Sequence, residues 1–167
     1  RNAVVPRGVN AISTARPAYH PRMCEYCGCR DITLIGRFSD EHVEVINRCG
    51  DLSRAVATSD LELVRAAAQR LADLLWPHTQ AEEVGLFTEL AKDEDFAPTI
   101  ASLCGEHTSL DAELTAIASG HLEGYPTFEV NLRRHIDHEE NGLFPAAAVS
   151  ITGEGWDSRT PDFAPLF

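Results

Sequence analysis

Two stretches of this chain carry the same arrangement of imidazole and carboxylate. Residues 78–87 read HTQAEEVGLF and residues 135–144 read HIDHEENGLF, so both fit H-x-x-x-E-E-x-G-L-F. On a helix, His78 and Glu82 lie four residues apart, as do His135 and Glu139, which stacks each pair on one face about one turn apart. An imidazole and a carboxylate held this way can both reach one metal ion. Two such turns facing each other could hold a pair of ions.

The elements that must position these turns are helical. Ser39 reads as an N-cap with Asp40 and Glu41 in the first turn, and His42, Val45, Ile46 and Cys49 follow the i, i+3, i+4, i+7 spacing of a buried stripe. Thr58-Ser59-Asp60 reads as a turn and a second cap. The next stripe runs through Leu61, Val64, Ala68, Leu71 and Leu75. Pro77 then removes one backbone bond just before His78, and the stripe resumes through Glu82, Leu86 and Leu90. Pro98 suits the first turn of a third helix, whose stripe is Ile100, Leu103, His107, Leu110, Leu114 and Ile117, ended at Ser119-Gly120. Pro126 opens a fourth helix with Phe128, Leu132, His135, Glu139 and Leu143 on one face, and Pro145 falls near its predicted end. Four amphipathic helices with short connections predict an all-α fold, an antiparallel up-down-up-down four-helix bundle. Three segments are expected: an N-terminal extension with a Cys cluster at 1–30, the bundle at 31–150, and an irregular C-terminal tail at 151–167.

Each helix then offers one inward imidazole: His42, His78, His107 and His135. Glu41-His42 and Glu106-His107 share a local signature, so the chain reads as two helical hairpins of one plan. Antiparallel packing brings the ligand turns to a similar height, giving four imidazoles plus Glu82 and Glu139. Six ligands are too few to saturate two metals separately and more than a closed tetrahedral zinc needs. If both carboxylates bridge, each ion receives two His and two carboxylate oxygens, and an oxo or hydroxo bridge leaves about one open position per ion. This donor set suits iron, with manganese as the alternative. Glu83 and Glu140 are read as acceptors for ligand N–H groups or as solvated. His20, His121 and His138 receive no role. One buried His is ordinarily a hydrogen-bonded core residue, but four imidazoles and two carboxylates in a small core are costly without a partner ion.

At these residues the sequence resembles the hemerythrin-like family, the HHE cation-binding domain, over about residues 32–148. The family pattern is His on helix one, the acidic motif on helix two, E-H on helix three and the acidic motif again on helix four. It is matched by His42, by His78 with Glu82, by His107, and by His135 with Glu139. Ferritin-like bundles use Glu-x-x-His instead, a spacing absent from this sequence. Oxygen-carrying hemerythrins have a further His one turn after the helix-three ligand, where this chain has Asp111. The resemblance therefore implies a four-His, two-Glu di-iron site, similar to that of bacterial proteins that repair iron centres after nitrosative or oxidative stress. Its implied ligands are O2, NO or peroxide, with an electron donor that the sequence does not identify.

Composition narrows the setting. The chain has 167 residues, 44% of them hydrophobic, and a net charge of −12. That length suits one domain, and the charge argues against nucleic acid and anionic membranes as partners. No apolar run approaches membrane-spanning length. Residues 1–22 hold Arg and Pro without acid and lack the apolar core of a secretory signal. With five Cys, an odd number, a cytoplasmic location is expected. Cys24, Cys27 and Cys29 form a compact cluster, a candidate second metal site or redox thiol group, with Cys104 at the same end of the bundle. Two alternative readings accompany the di-iron one. They are a non-catalytic iron storage or sensing module, and a thiol redox or zinc protein in which the bundle is scaffold. No nucleotide-binding loop or H-E-x-x-H motif is present, so hydrolase and nucleotide chemistry have no support.

Overall fold

The computed structural model describes residues 28–151 together with Gly153 and Trp156. Cys24, Cys27 and His20 lie outside the described residues. Among those described there are four long helices and no strand. Helix α1 spans Thr33–Thr58. Helix α2 spans Leu61–Glu82 and continues through a π-helical turn, Glu83–Phe87, into Thr88–Leu90. Helix α3 spans Ala97–Ala118. Helix α4 spans Tyr125–His138 and continues through a second π-helical turn, Glu139–Leu143, into Phe144–Ser150.

The connections follow local chemistry. Asp60 caps α2, its carboxylate accepting from the amides of Glu62 and Leu63. Helix α1 ends where Ser59 takes a left-handed φ of 57° and its amide returns to the Val56 carbonyl. Pro98 and Pro126 sit in the first turns of α3 and α4, where a missing N–H costs nothing. Pro77 is accommodated inside α2. Helix α1 starts about two turns earlier than the cap at Ser39 predicts. Ser39 is instead buried within the helix and donates to Glu140 Oε2 at 3.1 Å. Ahead of α1, the turn Cys29–Asp31 folds back so closely that a Cβ on Gly36 would stand 2.5 Å from the Arg30 carbonyl oxygen. Glycine is required there.

The core has two apolar clusters. One holds Val45, Cys49 and Leu52 of α1, Val64–Leu75 positions of α2, Leu110–Ile117 positions of α3, and Phe128 and Leu132 of α4. The other holds Leu34, Ile35 and Phe38 of α1, Leu86, Phe87 and Leu90 after α2, Ile100 and Leu103 of α3, and Leu143, Phe144 and Ala147 after α4. Along α1 and α3 the second cluster comes first, and along α2 and α4 it comes last. That alternation is the up-down-up-down topology. In every helix the predicted ligands fall between the two clusters, so the polar residues form one layer sealed at both ends by packed side chains. No helix among the described residues is long and apolar enough to cross a membrane. Beyond Ser150, Trp156 donates from its indole nitrogen to the Ile151 carbonyl and packs on the second cluster.

Candidate metal centre

All six predicted side chains converge. His42, His78, Glu82, His107, His135 and Glu139 are buried, none more than 6% exposed. Their donor atoms form two overlapping groups, His42-His78-Glu82-Glu139 and Glu82-His107-His135-Glu139, each with all atoms within 4.8 Å of one another. Glu82 reaches both halves: Oε1 lies 3.4 Å from His78 Nε2, and Oε2 lies 3.5 Å from His107 Nε2. Glu139 does the same, with Oε2 3.1 Å from His42 Nε2 and 3.4 Å from His135 Nε2, and Oε1 3.8 Å from His107 Nε2. Neighbouring ligands around an ion bound at about 2.1 Å in octahedral geometry stand about 3 Å apart, close to these separations.

The outer nitrogen of every imidazole faces a carboxylate. His42 Nδ1 is 2.8 Å from Glu140 Oε1, His78 Nδ1 is 2.8 Å from Glu41 Oε2, His107 Nδ1 is 2.8 Å from Glu83 Oε1, and His135 Nδ1 is 3.0 Å from Glu106 Oε2. A carboxylate only accepts, so each Nδ1 carries a proton, and a ring without a second proton turns its Nε2 lone pair toward the centre. This is the arrangement that fixes the tautomer of metal-binding histidines. The scheme repeats the duplication: Glu41 and Glu106 serve the His of the next helix in their own hairpin, while Glu83 and Glu140 cross to the other hairpin.

The residues fit a cation by a second criterion. His42 Nε2, His78 Nε2 and all four carboxylate oxygens of Glu82 and Glu139 are buried without a hydrogen-bond partner. The 3.1 Å from His42 to Glu139 lacks hydrogen-bond alignment. His107 Nε2 and His135 Nε2 approach to 3.1 Å, lone pair against lone pair when both Nδ1 atoms are protonated. Orphaned buried groups cost about 1–3 kcal/mol each, more when charged. A cation between them removes that cost.

The electrostatics of the metal-free chain register the same strain. Burial pushes the Glu82 carboxyl well above the usual carboxylate range, and repulsion from Glu139 adds to it. Burial also opposes ionisation of Glu139, but the imidazoles of His135, His107 and His42 outweigh it and hold that carboxyl low. Burial lowers His42, yet Glu139 and Glu140 overcome it and lift the ring to about 9. Burial lowers His78 to about 4, with only partial compensation from Glu41. Protons thus occupy part of the charge that a metal would supply.

The π-helical turns explain how consecutive acids share the work. Each closes an i→i+5 bond, Thr88 N–H to the Glu83 carbonyl and Phe144 N–H to the Glu139 carbonyl. The wider turn brings successive side chains closer in azimuth than an α-turn does. Glu82 and Glu139 face the interior while Glu83 and Glu140 still reach a neighbouring helix. Aromatic rings cover the outside. Phe144 stacks on His42 with centroids 5.7 Å apart, Phe38 meets His78 edge-on at 5.5 Å, and Phe87 stacks on His107 at 5.6 Å.

Other predicted residues fall elsewhere. Asp111 is exposed. Cys29 is buried and disulfide-bonded. Cys49 and Cys104 are free thiols, and Cys104 packs on the same apolar cluster as Cys29. His121 is exposed beside Glu123. The roles of Glu41, Glu106 and His138 were not legible beforehand. The repeated Glu-His dipeptide was the available signal for the first two, and His138, whose Nδ1 is 3.2 Å from Glu106 Oε1, had none.

No curated protein and no solved structure is significantly similar to the chain. The family model for the hemerythrin HHE cation binding domain, by contrast, matches residues 33–147. That span covers most of the chain and takes in every residue of the centre, and the chain therefore belongs to the hemerythrin HHE cation-binding family.

Proposed function

We propose that this protein is a non-haem di-iron protein that binds or reacts with a small oxidant or gas (O2, NO or peroxide) in the response to oxidative or nitrosative stress or in the maintenance of iron centres. The ligands in this reading are His42, His78, His107 and His135 with Glu82 and Glu139 shared. The observation that carries it is the pair of overlapping four-donor groups in which His42 Nε2, His78 Nε2 and all four oxygens of Glu82 and Glu139 lack a hydrogen-bond partner. Two irons there supply reversible electron transfer and positions for a small ligand.

The chain's own residues set the conditions for that chemistry. The four carboxylates behind the imidazoles hold the rings in one tautomer and make them better donors. Phe38, Phe87 and Phe144 keep bulk water from the layer and lower its effective dielectric. Four His and two Glu give the two halves equal donor counts. Asp111, exposed where an oxygen carrier has its fifth His, adds nothing to either half. That symmetry favours reaction or electron transfer over reversible oxygen carriage.

Anaerobic reconstitution with Fe(II), followed by metal analysis and stopped-flow mixing with O2, NO or H2O2, tests the proposal. Two irons per chain and rapid consumption of at least one oxidant are expected. Two irons with no reaction would leave a storage or sensing module instead. Failure to retain iron would remove the reading altogether.

A further inference from the structure

The donor counts of the two halves match, but their surroundings differ. Behind His42 and His78 the supporting carboxylates are sealed: Glu41 is 1% exposed and Glu140 4%. Arg37 Nε donates to Glu41 at 2.9 Å, Ser39 donates to Glu140, and Arg30 lies 3.9 Å from Glu140. Phe38 and Phe144, both fully buried, wall this half. Behind His107 and His135 the supports are open: the Glu83 side chain is 42% exposed and that of Glu106 20%. Among the described residues, no phenyl ring packs on His135.

A groove of about 390 Å³ lies between α3 and α4 on this open side. Ser102, Leu103 and Glu106 line it from α3, and His138, Gly142 and Leu143 from α4. Its walls reach the His135 support directly. Glu106 holds His135 Nδ1 with one oxygen and faces His138 Nδ1 at 3.2 Å with the other. The His138 side chain is 48% exposed. A carboxylate and an imidazole at the solvent end of a groove are oxygen and nitrogen donors of the same kind as those of the centre. Gly142 leaves the groove open: apart from its chain neighbours and its own helix backbone, nothing lies within 4 Å of the position a Cβ would take.

We propose that the two halves exchange metal unequally. A divalent cation enters and leaves the His107–His135 half through the α3–α4 groove, with Glu106 and His138 as transient hand-over ligands. The ion of the His42–His78 half is retained. This inference rests on the two-ion reading above. It adds which ion is labile and by which path.

The test is metal release, independent of any catalytic assay. The full chain is loaded anaerobically with two equivalents of Fe(II) and mixed with excess chromogenic chelator. Two phases of one equivalent each are expected, at rates at least tenfold apart. His78→Ala should leave an ion that departs in the fast phase, and His135→Ala one that departs in the slow phase. Gly142→Phe, which fills the groove without touching a ligand, should slow the fast phase at least tenfold and leave the slow phase and the total unchanged. Gly142→Leu serves the same purpose should Phe disturb the helix. His138→Ala should slow the fast phase about threefold. Release of both equivalents at one rate, or a fast phase indifferent to both Gly142 substitutions and to His138→Ala, overturns the inference while leaving the two-ion reading intact. A chain that retains no iron overturns both.

Discussion

Replacing Glu82 by Leu should make the metal-free protein more stable and the metal-supplied protein less so. Both Glu82 oxygens are buried without a hydrogen-bond partner, and the imidazole nitrogens nearest them are 3.4–3.5 Å away. Without metal the carboxyl either holds a proton above its usual range or remains a buried charge facing Glu139. Leucine has a similar volume and removes both costs. Substituting apolar residues for buried ionic groups is commonly neutral or stabilising by about 1–4 kcal/mol. A gain of about 2 kcal/mol raises the melting temperature of a domain of this size by about 4–8 °C. Metal reverses the ranking. A site filled at a free ion concentration about 100 times its Kd adds about 2.7 kcal/mol to the wild type, and Glu82→Leu forfeits most of this because Glu82 serves both halves. Calorimetric melts of both proteins, in chelator and in excess Fe(II) or Mn(II) under anaerobic conditions, measure all four values. A variant that melts lower than wild type in chelator, yet keeps the metal-induced rise, would refute the reasoning.

Other outcomes follow from the same geometry. In the metal-free protein, stability should peak between about pH 5 and 7. His78, held near 4 in the fold, binds fewer protons there than when unfolded, so stability climbs with pH from about 4 to 6.5. His42, lifted to about 9, binds more, so stability falls from about 6.5 to 9 by on the order of 3 kcal/mol. Denaturant melts in chelator from pH 4 to 9.5 check this, and a continuous rise through pH 9 contradicts it. Glu140→Gln should weaken metal binding by about 10–100-fold, because the neutral amide no longer backs His42; competition against a calibrated chelator reads the change. Asp60→Ala removes the α2 cap and should cost about 1 kcal/mol with no effect on metal affinity, separating fold stability from the centre.

The convergence of the six candidate side chains was legible because a helix converts spacing into facing. His78 with Glu82 and His135 with Glu139 sit on their stripes at four-residue intervals, and His42 and His107 continue the apolar periodicity of α1 and α3. The bundle followed from the same stripes and from Asp60, Pro98 and Pro126. Ser39 misled, because a hydroxyl that suits a cap also suits a buried donor, and only the partner Glu140, from the far end of the sequence, decides between them. The supports of His78 and His135 were missed for a related reason. Glu41 and Glu106 act across the space between helices, which no spacing within one helix reveals. The π-helical turns were invisible because an i→i+5 bond leaves no compositional mark. The unequal exposure of Glu83 and Glu140, identical in their motifs, depends on what packs outside each, and the repeat itself says nothing of that.

The loosened turns after Glu82 and Glu139 also restrict how this chain can vary in length. Each holds one residue beyond the regular count, and the helix beyond it is phased accordingly. Excising Val84 or Asn141 would tidy the backbone ladder but swing everything past the cut by about 100°. Leu86 and Phe87, or Leu143 and Phe144, would rotate off the interior they now fill. The surplus residue is what keeps the far ends of two helices in step with the rest of the bundle.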